Sequence, residues 1–402
     1  MKILFTNNDL SLRAGTQLYI RDVAFALQKR GHSPFVYSPT LGDVAGELKA
    51  ATIPVVNNLA SLSVVPDIIH GQHHLETMTA LLHFPEVPAV YFCHGWIPWE
   101  EAPPKFPRIL RYVAVDHACR DRLIYEHGIP EERVRVLLNF VDMERFKPRA
   151  PLPPRPRRAL LFSNYASKNG YASLVRRACE RSGIALDVAG SRSGRPCREP
   201  EKLLGNYDLV FAKGRAALEA LATGTAVILC DMGKSGQMVT SAEFDALRPV
   251  NFGIRARQEP VSLSALLREI GRYNAADAGR VSQKIRETAG LDRVAGEILS
   301  IYQEAVKEKD LSGPGDPLVE KRAAAVYLRW LSPALKEAQA FERTPAILLF
   351  YHLVLRIPVV GNWLKKSMKK RRLIRIPAAA ADPPPPPQTP SVPLVSSRSS
   401  SG

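Results

Sequence analysis

Apolar and polar positions along the chain repeat one order: an apolar run, a polar or glycine-containing loop, a helical stripe and another apolar run. Residues 1–37 show it first, where MKILFT precedes a helical stripe that stops at Gly31 and is followed by PFVY. Residues 207–231 show it again, with LVFA, the helix-favouring segment RAALEALA and the run TAVILC. Short apolar runs joined by helices are typical of strands in a parallel sheet. The pattern therefore predicts an α/β fold.

This order occurs in two successive halves of the chain, separated by residues 149–158, which are rich in proline and arginine. Such a composition is typical of a semi-rigid linker between domains. We predict a first domain over residues 1–148 and a second over residues 159–310. A helical and basic extension over residues 311–376 follows, and then a disordered tail over residues 377–402 because that segment is low in complexity.

The composition is that of a globular protein, with 46% hydrophobic and 23% charged residues. The five cysteines are scattered and form no Cys-x-x-Cys pair, which argues against a disulfide framework or a zinc site. The first apolar run is too short for a signal peptide. These features predict a cytoplasmic protein.

The net charge of +16 is concentrated near the carboxyl end, where residues 343–375 hold nine basic residues and no acidic ones. The apolar stretch within this segment falls short of the roughly 20 residues that a membrane span needs. Aromatic and cationic residues beside an apolar helix suit the surface of an anionic bilayer. We predict peripheral binding to the inner face of the plasma membrane and no nucleic acid partner, although a nucleic-acid patch and a solvated basic run are the alternatives.

Candidate chemistry follows the apolar run at residues 209–212, because ligands of open parallel sheets lie beyond the carboxyl ends of the strands. Gly214 allows a phosphate to approach the backbone, and a helix that begins near Arg215 favours an anion. Lys213 adds a cation beside them. Glu219 can accept two hydrogen bonds from a vicinal diol such as a ribose. The alternative is an ordinary buried helix of an α/β fold.

The first domain offers a matching set of residues. Gly15 and Thr16 form a turn at the start of the first helix and can present backbone N–H groups to a phosphate. A Gly-x-Gly-x-x-Gly pattern is absent there, which argues against dinucleotide binding. His94 follows another apolar run and precedes WIPWEE, whose rings and carboxylates suit a sugar or an amphipathic acceptor. A structural role for this histidine is the alternative.

The segment GRAALEALATGTAVI resembles the donor-site segment of the GT-B glycosyltransferases, especially the large family 4 of retaining enzymes. The family has two glutamates separated by seven residues; Glu219 stands at the second, which binds the nucleotide ribose. Phe211 replaces the first, which contacts the donor sugar. Residues 112–148 also resemble the family, with matches at Asn139 and Asp142 among others.

A loop early in the second domain resembles the family's diphosphate-binding loop. Lys168 stands at the family's lysine, whereas Ser163 or Asn164 occupies the place of its arginine. We hypothesise that the missing charge comes from one or more other cations: Arg192, Arg195, Lys213 and Arg215.

The resemblance covers about residues 1–310 and implies a GT-B fold, in which two Rossmann-like domains face a cleft. It implies a metal-independent, hexosyltransferase-type enzyme that needs no cofactor and transfers a sugar, with retention of configuration, from a nucleotide-sugar. A lipid-linked or polysaccharide acceptor would place it in cell-envelope polysaccharide synthesis, such as that of lipopolysaccharide or capsule. His94 would be the catalytic residue and would line the sugar pocket. The donor-binding residues would be Gly15, Thr16, Lys168, Lys213, Gly214, Arg215 and Glu219.

Two other functions fit the same fold. One is a non-catalytic, membrane-associated protein that binds nucleotide-sugars, which Phe211 and the missing arginine support. The other is a nucleotide-sugar epimerase, which requires acid and base carboxylates in the cleft.

Overall fold

Residues 1–166 and 170–343 are described by a computed structural model of the chain. The chain divides into a first unit, residues 1–327, and a second unit that begins at residue 328. The described part of the second unit is the end of the last helix. Three sequence predictions lie outside the described residues: Lys168, the basic segment after residue 343 and the tail over residues 377–402.

The first half of the first unit is an α/β lobe, here called the first lobe. Its strands are β1 (Lys2–Thr6), β2 (Ser33–Tyr37), β3 (Val55–Val56), β4 (Ile68–Gly71), β5 (Ala89–Cys93), β6 (Ile109–Ala114) and β7 (Val134–Val136). They form one parallel sheet in the order β3-β2-β1-β4-β5-β6-β7. The helices are α1 (Gly15–Lys29), α2 (Asp43–Ala50), α3 (His74–His83) and α4 (His117–Asp121).

The second lobe follows and is built on a six-stranded sheet. Its strands are β8 (Arg158–Phe162), β9 (Ala185–Ala189), β10 (Leu209–Ala212), β11 (Ala226–Asp231), β12 (Lys234–Met238) and β13 (Glu259–Pro260). Their order is β13-β12-β11-β10-β8-β9, and only the pairings of β12 are antiparallel. The helices are α5 (Ala172–Arg181), α6 (Pro200–Leu203), α7 (Gly214–Ala222), α8 (Phe244–Leu247), α9 (Leu263–Gly271) and α10 (Ala275–Thr288).

Each face of the second sheet carries its own apolar core. One core includes Val210 and Leu218, and the other includes Phe211 and Ile228. Phe211 is completely buried. This position, where the family has its first glutamate, therefore offers no polar group to a ligand.

The chain then returns to the first lobe. Helix α11 (Leu291–Ser312) places Ile298 and Tyr302 in the same core as Ile3 and Phe5. Helix α12 (Pro317–Arg343) follows it. The first lobe is therefore completed by residues that come after the whole second lobe in the sequence. The predicted domain limits, residues 1–148 and 159–310, stay a prediction.

The predicted α/β architecture with two Rossmann-like lobes is confirmed. The sequence also predicts helices at SLSALLREIGRY, residues 262–273, and VAGEILSIYQEAVKEK, residues 294–309, and they correspond to α9 and α11. One segment differs: MGKSGQMV, residues 232–239, stands where the family that the sequence resembles has a glycine-rich loop under the donor, and this predicts a loop, but in the structure these residues contain β12. A two-residue turn with positive φ at Met232 and Gly233 reverses the chain, so that β12 pairs with β11. In the described part of the chain, no helix has the length and apolar character needed to span a membrane.

Candidate functional site

Helix α7 begins directly after β10, at the carboxyl edge of the second sheet. Its first residue, Gly214, has a φ of +54°, in the left-handed region that favours glycine. The Gly214 N–H donates to the carbonyl of Phe252 (3.0 Å), and a Cβ on Gly214 would meet no atom within 4 Å. The structure therefore places this corner at the edge where the sequence predicts a phosphate, with open space beside it.

Glu219 lies one turn further along α7 and is only 5% exposed. Its Oε1 accepts a hydrogen bond from Nε of Arg215 (2.7 Å). Nη2 of Arg215 donates to the carboxylate of Asp22, which lies on α1 of the first lobe. Burial raises the pKa of Glu219, and the charge of Arg215 opposes that rise. The predicted ribose-binding carboxylate thus lies at the contact between the lobes, where it is paired with an arginine; its role stays a prediction.

Asp22 is the centre of a cluster of ion pairs between the lobes. It is 3% exposed, and besides Arg215 it contacts Nη2 of Arg21 (2.6 Å) and Nη1 of Arg145 (3.6 Å). Burial alone would raise the pKa of Asp22, but Arg215 and Arg21 outweigh it and hold the pKa below its ordinary value. The carboxylate is therefore ionised at neutral pH. Because Asp22 and Glu219 share Arg215, the charge of this arginine is compensated without a ligand.

Lys213 pairs with a second buried carboxylate. Its Nζ lies 3.0 Å from Asp231, which ends β11 and also accepts hydrogen bonds from Tyr171 Oη (2.6 Å) and from Ser163 Oγ. Burial would raise the pKa of Asp231, but Lys213 outweighs it and the pKa is lowered. The Lys213 side chain stays 30% exposed, and its Nζ lies 4.9 Å from the centre of the Tyr165 ring. Lys213 can therefore still meet a ligand at the edge of β8, β10 and β11.

The predicted diphosphate loop is described only in part, since Lys168 lies outside the described residues. Next to the loop, the guanidinium of Arg192 lies 5.7 Å from the centre of the Tyr165 ring. Lys213 approaches the same ring. Arg195 instead lines a separate pocket of about 550 Å³ beside β9. Arg192 and Lys213 are therefore the described cations that best match the converging charges that a diphosphate requires.

Gly15 and Thr16 open α1 at the carboxyl edge of the first sheet. A Cβ on Gly15 would meet no atom within 4 Å, so the backbone is accessible there. The Thr16 hydroxyl donates to Oε1 of Gln17 (3.1 Å). The position is the one predicted, and the phosphate contact stays a prediction.

His94 follows β5 and lies in a buried polar group of the first lobe. Its backbone N–H donates to Oε2 of Glu101 (2.9 Å), and Oε1 of Glu101 lies 3.6 Å from Nε2 of His73. Its ring packs edge-on against Tyr19 of α1, with 4.4 Å between the ring centres. Among the described residues, His94 Nε2 and Tyr19 Oη are buried without a hydrogen-bond partner. Buried polar atoms are normally paired, so these two are suited to hydroxyl groups of a ligand.

Burial sets the protonation states in this group. It lowers the pKa of His94 to about 3 and, with His74, lowers that of His73 to about 4. It raises the pKa of Glu101 to about 8. At neutral pH the group therefore combines neutral imidazoles with a protonated carboxyl. His73 also has a φ of +59°, a strained backbone conformation of the kind that often occurs at functional sites.

A groove of about 690 Å³ runs between the lobes beside α1. Asp22, Arg21 and Arg145 line it, as do Lys29 and Arg30 further along the helix. None of the predicted site residues that the structure describes lines this groove. The predicted site and the groove are therefore neighbouring features that meet at Asp22.

The sequence analysis did not single out four residues of this region: Tyr19, Asp22, His73 and Asp231. Asp231 is the last residue of β11 and His73 follows β4, so their position at or after the end of an apolar run was a usable signal. Asp22 and Tyr19 lie within a helix, and their partners come from distant parts of the sequence. The sequence holds no signal for these long-range contacts.

The two lobes meet at the carboxyl side of their sheets, through the Arg215–Asp22 pair and through Asn251, whose Nδ2 donates to the Val115 carbonyl. Two Rossmann-like lobes in this arrangement define the GT-B fold, and solved structures agree. A glycosyltransferase from Rickettsia africae ESF-5 is 17% identical, with a TM-score of 0.55, over 76% of this chain and 98% of its own. Anabaena Alr3699/HepE, solved in complex with UDP and glucose, is 17% identical, with a TM-score of 0.53, over 76% and 100%.

Within this class, residues 13–145 match the family model described as Glycosyltransferase Family 4. The resemblance to family 4-like GT-B glycosyltransferases that the sequence predicts is therefore confirmed. No curated protein sequence matches the chain.

Proposed function

We propose that this chain is a glycosyltransferase that takes its sugar from a nucleotide-sugar donor. The observation that carries the proposal is the placement of Glu219, Gly214 and Lys213 at the carboxyl edge of the second sheet, against the first lobe of a GT-B fold. Anabaena HepE, which shares the fold, was solved with UDP and glucose, and UDP-sugars are therefore the first donors to test.

The chemistry requires a site that stabilises the departing nucleoside diphosphate more strongly as its charge develops. Lys213, Arg192 and the amides that follow Gly214 in the first turn of α7 supply positive potential at that edge. His94 Nε2 and Tyr19 Oη offer hydrogen bonds to sugar hydroxyls from the opposite lobe. The reaction is metal-independent and retains the anomeric configuration, as in the family that the sequence resembles.

Donor binding and turnover test this proposal directly. Purified protein is titrated with UDP-, GDP- and ADP-sugars, and slow hydrolysis of the preferred donor is followed by NMR, which also reports the configuration of the released sugar. Glu219→Ala should weaken binding of the preferred donor by about tenfold or more, and Glu180→Ala, at an exposed position of α5, is the matched control. Unchanged binding in Glu219→Ala would refute the ribose assignment.

The acceptor is lipid-linked or polysaccharide, and the protein acts at the inner face of the plasma membrane in envelope polysaccharide synthesis, such as that of lipopolysaccharide or capsule. The support is the sequence of residues 343–375, with nine basic and no acidic residues. Co-sedimentation with anionic liposomes compares the full chain with a chain that ends at residue 342. Equal partitioning of the two would contradict the membrane proposal.

Epimerisation of a nucleotide-sugar is a second candidate, and one observation favours it. Glu101, whose pKa is raised to about 8, lies 3.6 Å from His73, so an acid and a base are adjacent in the first lobe. Incubation with UDP-sugars and NMR detection of a second sugar epimer distinguishes this activity from transfer. Donor binding without any turnover would instead indicate the non-catalytic binding protein.

A further inference from the structure

Arg215 lies between two carboxylates that belong to different lobes. Its Nε donates to Oε1 of Glu219 on the same helix (2.7 Å), and its Nη2 donates to Asp22 on α1. Across residues 1–166 and 170–343, no hydrogen bond to the second oxygen of Glu219, Oε2, is present. One oxygen of Glu219 is therefore occupied and the other is left for a further donor.

The division of Arg215 between two carboxylates differs from the geometry of an isolated arginine–carboxylate pair. A guanidinium binds a carboxylate preferentially through two parallel hydrogen bonds, which would occupy both oxygens of Glu219. Residues four apart on a helix are neighbours, so Arg215 and Glu219 can pair without a third residue. In this structure Nη2 of Arg215 donates to Asp22 instead, and Arg215 contacts a single oxygen of Glu219.

Asp22 is held firmly in this position. Arg21 donates to Oδ1 of Asp22 from Nε (2.8 Å) and from Nη2 (2.6 Å), and its Nη1 donates to Glu47 (2.8 Å). Arg145 adds a contact at 3.6 Å. The side chains of Arg21 and Asp22 are 5% and 3% exposed, so water competes little for these bonds. The orientation of the Asp22 carboxylate is therefore fixed by its own lobe.

We propose that Asp22 is a positioning residue of the donor site: by binding Arg215 from the first lobe, it keeps Glu219 Oε2 open to a ribose hydroxyl in the second lobe. The inference rests on the proposed function, and it makes ribose recognition depend on contact between the lobes. If the lobes separate, Arg215 loses its contact with Asp22 and forms hydrogen bonds to both oxygens of Glu219. The ribose hydroxyl then loses Glu219 Oε2 as its hydrogen-bond acceptor.

The test compares the affinity for a nucleoside diphosphate with that for its 2′-deoxy and 3′-deoxy analogues, measured by calorimetry on the full chain. A hydrogen bond to a charged carboxylate contributes about tenfold or more in affinity, so the wild type should discriminate against one deoxy analogue by that factor. Asp22→Asn should lose this discrimination. A general disturbance of the site would instead weaken all three nucleotides by the same factor.

Asp43→Asn is the matched control, since Asp43 joins the lobes through Arg198 (3.1 Å) without contacting Arg215. It should keep the discrimination of the wild type. Arg215→Lys added to Asp22→Asn is the second variant: an ammonium cannot occupy both oxygens of Glu219 with two parallel hydrogen bonds as the guanidinium does, so Oε2 should be open again and the discrimination should return. In a Glu219→Gln background, Asp22→Asn should change the ratio no further.

The outcomes separate the two proposals. A wild type that binds no nucleoside diphosphate overturns the proposed function and this inference together. Binding with no discrimination against either deoxy analogue overturns the inference and leaves the proposed function standing. The same holds if Asp22→Asn folds, binds the nucleotide and keeps the wild-type ratio, or if Arg215→Lys fails to restore the ratio that Asp22→Asn has lost.

Discussion

Replacing Asp22 by alanine removes a carboxylate that Arg21, Arg145 and Arg215 share at the contact between the lobes. Water solvates these three cations only in part, because their side chains are 5%, 28% and 16% exposed. The substitution therefore leaves positive charges close together and partly desolvated. We expect this to be among the most destabilising single changes at the lobe contact.

The size of the effect follows from burial. Removing one partner of a buried ion pair costs about 3–5 kcal/mol, and the partial exposure of Arg145 and Arg215 places the value near the lower end, about 3 kcal/mol. For a lobe of this size, each kcal/mol corresponds to about 2–4 °C in the melting temperature. We therefore expect a decrease of about 6–12 °C.

The assay is thermal unfolding followed by calorimetry at neutral pH, with Asp43→Ala as the control. The Asp43–Arg198 pair also joins the lobes, but its side chains are 52% and 76% exposed, and its loss should cost about 1 kcal/mol or less. Because the pKa of folded Asp22 is lowered, its contribution is present above its unfolded pKa, about 3.9, and is lost as the pH falls further. An Asp22→Ala variant as stable as Asp43→Ala at pH 7 would refute the reasoning.

Three further changes test other parts of the structure. Glu101→Gln removes a carboxyl whose folded pKa is raised to about 8, so the stability of the wild type relative to the variant should fall as the pH rises from about 4.3 towards 8; parallel curves would contradict this. Gly214→Ala should cost about 1–2 kcal/mol in thermal unfolding, because φ is +54° although the space is open; no loss would contradict the geometry. Gly190→Ala should cost about 3 kcal/mol or more, because the new Cβ would lie 2.0 Å from the Ser163 carbonyl oxygen, whereas Gly194→Ala meets no such atom. Equal melting temperatures for these last two variants would show that the clash is relieved.

The sequence predicted the two-lobed α/β fold because strands buried on both faces are written as apolar runs, of which Leu209–Ala212 is an example. It failed at β12, whose residues KSGQM show neither an apolar run nor a clear alternation. The strand forms because the turn at Met232 and Gly233 folds it back onto β11, and that is a tertiary effect. Local pattern alone therefore missed the antiparallel pairing of β11 and β12 beside the predicted site.

The candidate site likewise has residues that local sequence predicts and contacts that it does not predict. Lys213 and Gly214 were predictable because they directly follow an apolar run, and a position after a strand is fixed by local sequence. The pairing of Arg215 with Asp22 joins residues 193 positions apart, and no periodicity in either helix specifies it. The helical pattern of α1 showed which residues share a face and gave no information about which face meets the other lobe.

The return of α11 to the first lobe has a consequence for the order in which the chain acquires structure. Ribosomal synthesis delivers the residues of the first lobe early, yet Ile298, Tyr302 and Ala305 of its core emerge only after the second lobe is complete. Since domains fold as units when their chain becomes available, the later-made lobe is the first able to finish folding. Until α11 is synthesised, the nascent first lobe has an uncovered apolar face. A chain that stopped before α11 would leave that face exposed to water.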